Sequence, residues 1–351
     1  MDRTQDAANT EEIMSLRILF IGGTGTISSA STELALQRGM NVTLLNRGRN
    51  ARSTAPAGAE VVIADIHDSD AARAALAGRQ FDAVVDWIAY EPEHVAADLE
   101  LFRGRVGQFI FISSAAVYHH PPPALPVTES SPVHNPDWPY SFRKIQCEDL
   151  LMEAYRDEGF PVTIVRPSHT YAPWALPLTA GYTSVARMRR GDPVVIHGDG
   201  TSLWVVTHHA DFAKGFVGLL GNSHAIGEAV HITSDQALTW NQIYQAVADA
   251  AGAELHAVHV PSSLIAAYDP PSAPTLLADK SHSMIFDNSR IKRLVPDFAA
   301  TIPFSIGARE IMAWFDAVPA RQRVNGRYDR LCDQLVAAIG SIQPASAGTL
   351  P

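Results

Sequence analysis

Residues 16–21 form an apolar run broken only by Arg17, and this run ends in Gly22-Gly23-Thr24-Gly25-Thr26-Ile27-Ser28. A short apolar run bounded by glycine reads as a buried strand, and the pattern after it reads as a helix closed at Gly39. Glycines at such a turn let the backbone come close to a ligand, and the helix start offers unpaired N–H groups and the positive end of a dipole. Strand, glycine turn and helix in that order form a cradle for a pyrophosphate. Gly22-x-x-Gly25-x-x-Ser28 has serine where a third glycine is usual. Serine is small enough for the helix to lie close on the strand. Thr26 and Ile27 fall at the helix N-terminus.

The alternation continues. Strands are expected at 42–45, 61–64, 83–88, 109–112 and 162–165, with helices at 71–76, 95–102 and 141–157. Strands alternating with helices predict an α/β chain: a Rossmann-type doubly wound parallel sheet, with a smaller mixed α/β C-terminal substrate-binding domain. Ligands of such sheets lie beyond the carboxyl ends of the strands, where Gly22, Asp65, 88–90 and Ser114 fall. The nucleotide-binding domain is expected over 15–170. Residues 203–235, with strand 203–207, helix 210–220 and strand 229–232, are expected to return to it. Residues 171–202 and 236–340 would form the second domain, with disordered tails at 1–14 and 341–351. Few periodic apolar positions interrupt 268–286, which holds Pro270, Pro271 and Pro274 and reads as a flexible lid or an insertion.

The second strand ends Asn46-Arg47. An acidic residue there would bind ribose hydroxyls and favour NAD, whereas Arg47 beside Asn46 suits a 2′-phosphate. NADP is favoured and NAD stays open; the other reading of Arg47 is a solvated turn residue. Asp65, with Ile66 beside it, either accepts from an adenine amino group or caps its own loop.

Ser114 sits where the strand 109–112 ends, and Tyr140 and Lys144 are four apart at a helix start, on one face. A free phenol has a pKa near ~10 and is a poor base at neutral pH, but a neighbouring cation favours its ionised form. Tyr140 would then exchange a proton with a substrate hydroxyl or carbonyl while Ser114 holds the same oxygen.

The formal charge of −10 argues against nucleic acid or an anionic membrane as partner. Cys147 and Cys332 are the only cysteines, which gives neither a disulfide framework nor a four-ligand zinc pattern. Residues 1–14 carry four acidic residues and no apolar segment, so no signal peptide is read there, and a cytoplasmic enzyme is expected. His119-His120, His208-His209 and His256-x-x-His259 lack the spacing that converges on one ion, so no metal site is assigned. Trp87, Tyr90, Trp138 and Trp174 form either an apolar wall for a substrate or ordinary core.

With these motifs in place, residues 16–317 resemble the extended short-chain dehydrogenase/reductase superfamily, the NAD(P)-dependent epimerase/dehydratase group. The resemblance rests on Gly22-x-x-Gly25, Ser114 before Tyr118, Tyr140-x-x-x-Lys144, Val165-Arg166-Pro167 leading to Tyr171-Ala172-Pro173, and Gly198-Asp199-Gly200 before His209-Ala210-Asp211. It implies that Ser114, Tyr140 and Lys144 are catalytic, with Lys144 also holding the nicotinamide ribose. It implies that 86–90, including Trp87 and Ala89, lines the cofactor, and that Pro167 and His169 flank the nicotinamide. Substrate would meet Tyr90, Ala115, Ala116, His119 and Trp174. Dehydratases of the group carry an Asp-Glu pair where this chain has Ala115-Ala116, which disfavours dehydration. Many nucleotide-sugar members have an arginine soon after the Gly-Asp-Gly turn; here Leu203-Trp204 follows, and Arg187, Arg189 or Arg190 would have to substitute. The leading expectation is an epimerase of a sugar nucleotide or related polyol, working by transient oxidation to a ketone and re-reduction. The alternatives are an NADPH-dependent ketone or aldehyde reductase, and a non-catalytic dinucleotide sensor or RNA-associated member. A homodimer through the helices at 92–103 and 141–157 is expected by the same resemblance.

Overall fold

The computed structural model describes residues 15–48 and 55–341. The tail expected at 1–14, and that at 341–351 apart from Ser341, lie outside them. The first strands in chain order are β1 (Arg17–Ile21), β2 (Asn41–Asn46), β3 (Glu60–Ile63), β4 (Phe81–Asp86), β5 (Val106–Ile112) and β6 (Val162–Pro167). They are followed by β7 (His169–Tyr171), β8 (Val194–His197), β9 (Leu203–His208), β10 (Ala229–Ile232), β11 (Ala237–Thr239) and β12 (Ala257–Val260). Seven of them form one parallel sheet in the order β10-β6-β5-β4-β1-β2-β3. The reversal of strand order beside β1 is the switch point at which such sheets bind ligands.

The central strands are largely apolar because helices cover both faces, with Gln108, Thr163 and Arg166 among the buried exceptions. From β1, Ile18 and Phe20 face Phe212 and Phe216 of α6 (His209–Val217), which packs with α1 (Thr26–Gln37). Leu19 and Ile21 face Val95 and Leu99 of α3 (Pro92–Phe102) and Leu151 of α4 (Pro139–Glu158). A buried ion pair, Arg166 with Glu148, ties β6 to α4.

Residues 203–208 do not join the large sheet. β10 occupies the open edge of β6, so β9 pairs in parallel with β7 and antiparallel with β11 in a separate three-stranded sheet. Helix α6 and strand β10 do go to the large sheet. The segment 268–286 is built of short turns that fold onto the body. Asn135 Nδ2 donates to Ala278 O at 2.9 Å, and Met284 N donates to Leu203 O at 2.8 Å.

Candidate active site

The glycine turn after β1 has the expected conformation, with φ of 99° at Gly22 and 100° at Gly23. A Cβ on Gly23 would lie 2.7 Å from Leu44 Cδ2, so the approach of the turn to β2 needs glycine. Ser28 is buried, and its hydroxyl accepts from Gly25 N at 2.7 Å, so it caps the helix start as well as allowing close packing. Above the turn is a groove of about 670 Å³ bordered by Gly22–Gly25, Asn46, Arg47, Ile66, Trp87 and Tyr90. Thr26 and Ile27 open α1 without lining it. The Asn46 amide, oriented to satisfy its neighbours, donates to Gly22 O at 2.8 Å. Arg47 lies exposed on the rim and makes no ion pair among the described residues. Asp65 is turned into its own loop, where it accepts from His67 N at 3.2 Å, and Ala64 and Ile66 line the groove at that level. The glycine cradle, the helix start and the length of the groove fit a dinucleotide.

The groove runs toward Ser114, Tyr140 and Lys144. Ser114 ends β5 and caps a short turn, its Oγ accepting from Ala116 N at 3.2 Å. Tyr140 and Lys144 share a face of α4, but the ammonium is not spent on the phenol. Lys144 is 1% exposed; its Nζ donates to Ala89 O at 2.6 Å and Ile112 O at 2.7 Å and lies 4.5 Å from the Tyr90 ring centre. Burial pulls Lys144 down to about 8, against the opposing pull of Asp86. Burial likewise pushes Tyr140 up to about 12, with the Ser114 hydroxyl acting in the other direction. The expected lowering of Tyr140 by Lys144 is therefore corrected. The backbone carbonyls of Ile112, which ends β5, and of Ala89, in the loop after β4, take the cation, and Tyr140 is a protonated donor at neutral pH.

Beyond this pair lies a second cavity, of about 380 Å³. Ser114, Ala115, Ala116 and Tyr140 form its floor, Pro167, Ser168 and His169 one side, and Trp138 and Trp204 aromatic walls. Trp204 Nε1 donates to His169 Nδ1 at 3.1 Å, which leaves the His169 proton on Nε2. Burial and the neighbouring Lys280 cation pull His169 down to about 3, so its ring is neutral. Of the aromatic residues expected to form a wall, Trp138 does so; Trp87 and Tyr90 line the groove instead. Trp174 is exposed against the His209 ring, with 5.1 Å between centres, and does not reach the cavity. His119 is also outside it, its Nδ1 bonded to His134 O at 3.2 Å.

Arg187, Arg189 and Arg190 do not substitute for the missing arginine. Arg187 pairs with Asp329 and Asp333, Arg189 with Asp316, and Arg190 with Asp192 and Asp329, all off the cavity. Sequence reasoning missed Thr275, Asp279, Lys280, Met284 and Phe286, which close the cavity from the 268–286 segment. The adjacent charges Asp279-Lys280 in an otherwise weakly polar stretch were the available signal. Among the described residues, no three His, Cys, Asp or Glu side chains are placed to hold one metal ion. No described helix is long and apolar enough to cross a membrane.

A doubly wound sheet with a glycine-turn groove leading to a cavity lined by Ser114 and Tyr140, with Lys144 buried on the same helix as Tyr140, defines a dinucleotide-dependent enzyme. Residues 18–233 match the model of the NAD dependent epimerase/dehydratase family, and the chain belongs to that family. It is an NAD(P)-dependent enzyme of the extended short-chain dehydrogenase type. Among its relatives, 2′-dehydrokanamycin reductase of Streptomyces kanamyceticus is 27% identical over 286 residues, 81% of this chain and 80% of that protein. The chloroplast stem-loop binding protein of 41 kDa b of Arabidopsis thaliana is 28% identical over 255 residues, 67% of this chain and 63% of that protein. The structure of an epimerase from Methanothermobacter thermautotrophicus superposes with a TM-score of 0.73 at 18% identity, covering 88% of this chain and 94% of that one.

Proposed function

We propose that this enzyme is a ketone reductase acting on a compact polyhydroxylated substrate, with NADP favoured and exchanged at each turnover. The observation that carries this reading is the cavity wall. At about 380 Å³ the cavity is near the small end of the ~300–1,000 Å³ common for ligand sites, and no arginine lines it. A nucleotide diphosphate is gripped best by a bidentate guanidinium. The alignment with the Streptomyces kanamyceticus reductase over most of both chains adds support.

The groove residues Gly22, Gly25, Asn46, Arg47, Ile66 and Trp87 would hold the dinucleotide, with Arg47 placed for a 2′-phosphate; Ala89, expected among them, is buried and gives its carbonyl to Lys144. Its nicotinamide, when bound, supplies the hydride. Tyr140, protonated at neutral pH, donates its proton to the substrate carbonyl oxygen as that oxygen gains charge, and Ser114 donates a hydrogen bond to the same atom. Lys144 fixes the loop after β4 against α4 through Ala89 O. Trp138 and Trp204 keep water from the reacting carbon.

A second reading, epimerisation of a sugar nucleotide by transient oxidation, is favoured by the family and by Ala115 and Ala116. These buried alanines offer no acid–base pair for dehydration and leave Ser114 and Tyr140 to work on a carbinol. We place the enzyme in the cytoplasm as a homodimer through the adjacent helices α3 and α4. The charge of −10 weighs against a nucleic-acid role like that in the name of the Arabidopsis relative.

The test is to denature the purified protein and identify released nucleotide by mass spectrometry. A reductase gives little bound nucleotide and binds added NADPH reversibly. Near-stoichiometric NAD(P)⁺ that survives purification overturns the reductase reading in favour of the epimerase.

A further inference from the structure

Lys280 is a charged side chain on the substrate cavity that no hydrogen bond or ion pair takes up among the described residues. It lines the cavity half-buried, and its Nζ makes neither a hydrogen bond nor an ion pair among the described residues. A half-buried ammonium without a partner is costly, and folds seldom keep one that serves nothing.

Its neighbour Asp279 acts on it only at a distance, opposing the effect of burial without forming an ion pair. The Asp279 carboxylate lies 3.2 Å from His120 Nε2, and His120 Nδ1 donates to Tyr118 O at 2.7 Å. The Asp279 carboxylate is thus directed at the His120 ring, and it makes no ion pair with Lys280 among the described residues. His169, on the same wall, is neutral and presents Nε2–H. This end of the cavity therefore offers the Nε2–H of His169 and the unpaired ammonium of Lys280, with the Asp279 carboxylate directed at His120.

The presentation is built into the backbone. Lys280 O accepts from His197 Nε2 at 3.1 Å and from Ser202 Oγ at 3.2 Å. One residue pair earlier, Ala278 O accepts from Asn135 Nδ2 at 2.9 Å. The turn that carries Lys280 is thus pinned from three sides.

We propose that Lys280 is the specificity-determining residue of this cavity, and that the substrate carries an anionic group, a carboxylate or a phosphate, held by Lys280 next to His169. The inference rests on Ser114 and Tyr140 marking the reacting end of the same cavity. Burial pulls Lys280 below the usual lysine range, and a bound anion would return it upward.

The chain has four lysines, so protein labelled with ¹³C and ¹⁵N in lysine gives four side-chain signals, and Lys280→Gln assigns the one in question. The probes are glucuronate, glucose 6-phosphate and inorganic phosphate, with methyl glucoside as the neutral control. The Lys280 signal should move with an anion, its titration midpoint rising by about one pH unit or more, and should ignore the neutral sugar. Lys280→Gln should weaken binding of the effective anion about tenfold, the worth of one charge-assisted hydrogen bond, and Lys280→Arg should retain it. A response to glucuronate alone identifies a carboxylate; a response to the phosphates alone identifies a phosphate. A Lys280 signal indifferent to every anion, or an anion preference that survives Lys280→Gln, overturns the proposal. Tyr140→Phe separates the two readings, because it should abolish hydride transfer and leave the Lys280 response intact. A wild-type protein whose Lys280 responds to anions but which transfers no hydride would remove the reductase reading and leave the anion site standing.

Discussion

Replacing Arg166 by methionine tests how the helix carrying Tyr140 and Lys144 is held. Arg166 Nε donates to Glu148 Oε1 at 2.9 Å, and Nη2 donates to Oε2 of the same carboxylate. Both side chains are only 6% exposed, and the guanidinium lies 4.9 Å from the Tyr118 ring centre. Methionine fills much of the volume but leaves Glu148 as a buried charge without its partner, a loss of about 3–5 kcal/mol. Against a total stability of ~5–15 kcal/mol, this is a large fraction. Removing both charges in Arg166→Met/Glu148→Leu restores a closed apolar contact, and such replacements of a whole buried pair run from neutral to stabilising. The double variant should therefore be more stable than Arg166→Met alone. Urea unfolding at neutral pH, run as a cycle with the Glu148→Leu single variant, gives the coupling from the shift in midpoint. A coupling of a few kcal/mol is expected. Losses that simply add would refute the idea that this pair clamps α4 to β6.

Three further outcomes follow from the site. With Lys144 held at about 8 and a free lysine near ~10.4, the folded protein loses this proton before the unfolded chain does. The buried ammonium is a full cost below pH ~8, on the order of 3 kcal/mol, and stability rises as that cost is relieved up to pH ~10.4. Urea midpoints across that window should rise in wild type relative to Lys144→Met; parallel curves would contradict the assignment. Arg47→Ala should weaken NADPH binding about tenfold by calorimetry and leave NADH binding unchanged, whereas equal effects on both would return Arg47 to a solvated turn residue. Gly23→Ala, at φ 100° with its new Cβ 2.7 Å from Leu44, should cost about 1–3 kcal/mol in unfolding and reduce dinucleotide affinity, and an undisturbed protein would show that the turn can shift.

Where the chain speaks locally, its sequence was legible. The run before Gly22 and the alternation of strands and helices depend on near neighbours, and the sheet follows from them; Ser114 and Tyr140, carried by different elements, line one cavity, while Lys144 does not. What distant segments decide was not legible. Strand 203–208 left the large sheet because β10 held the edge of β6, a competition no local pattern shows. The Lys144 ammonium went to Ala89 O in the loop after β4 and Ile112 O at the end of β5, so helical spacing alone misjudged its effect on Tyr140. Trp204 replaced Trp174 in the wall, and Asp279 and Lys280 came from a proline-rich stretch without periodicity. Arg187, Arg189 and Arg190 were drawn off by carboxylates more than a hundred residues away, Asp329, Asp333 and Asp316.

The central claim is that Tyr140 delivers the proton while hydride reaches a ketone carbon in the cavity of Ser114. The direct measurement is NADPH oxidation at saturating cofactor against a panel of keto-sugars and keto-uronates, with wild type beside Tyr140→Phe. Turnover should fall by about 10²–10⁴ in the variant, the usual worth of a positioned general acid, while NADPH affinity stays unchanged. Equal turnover in Tyr140→Phe would contradict it.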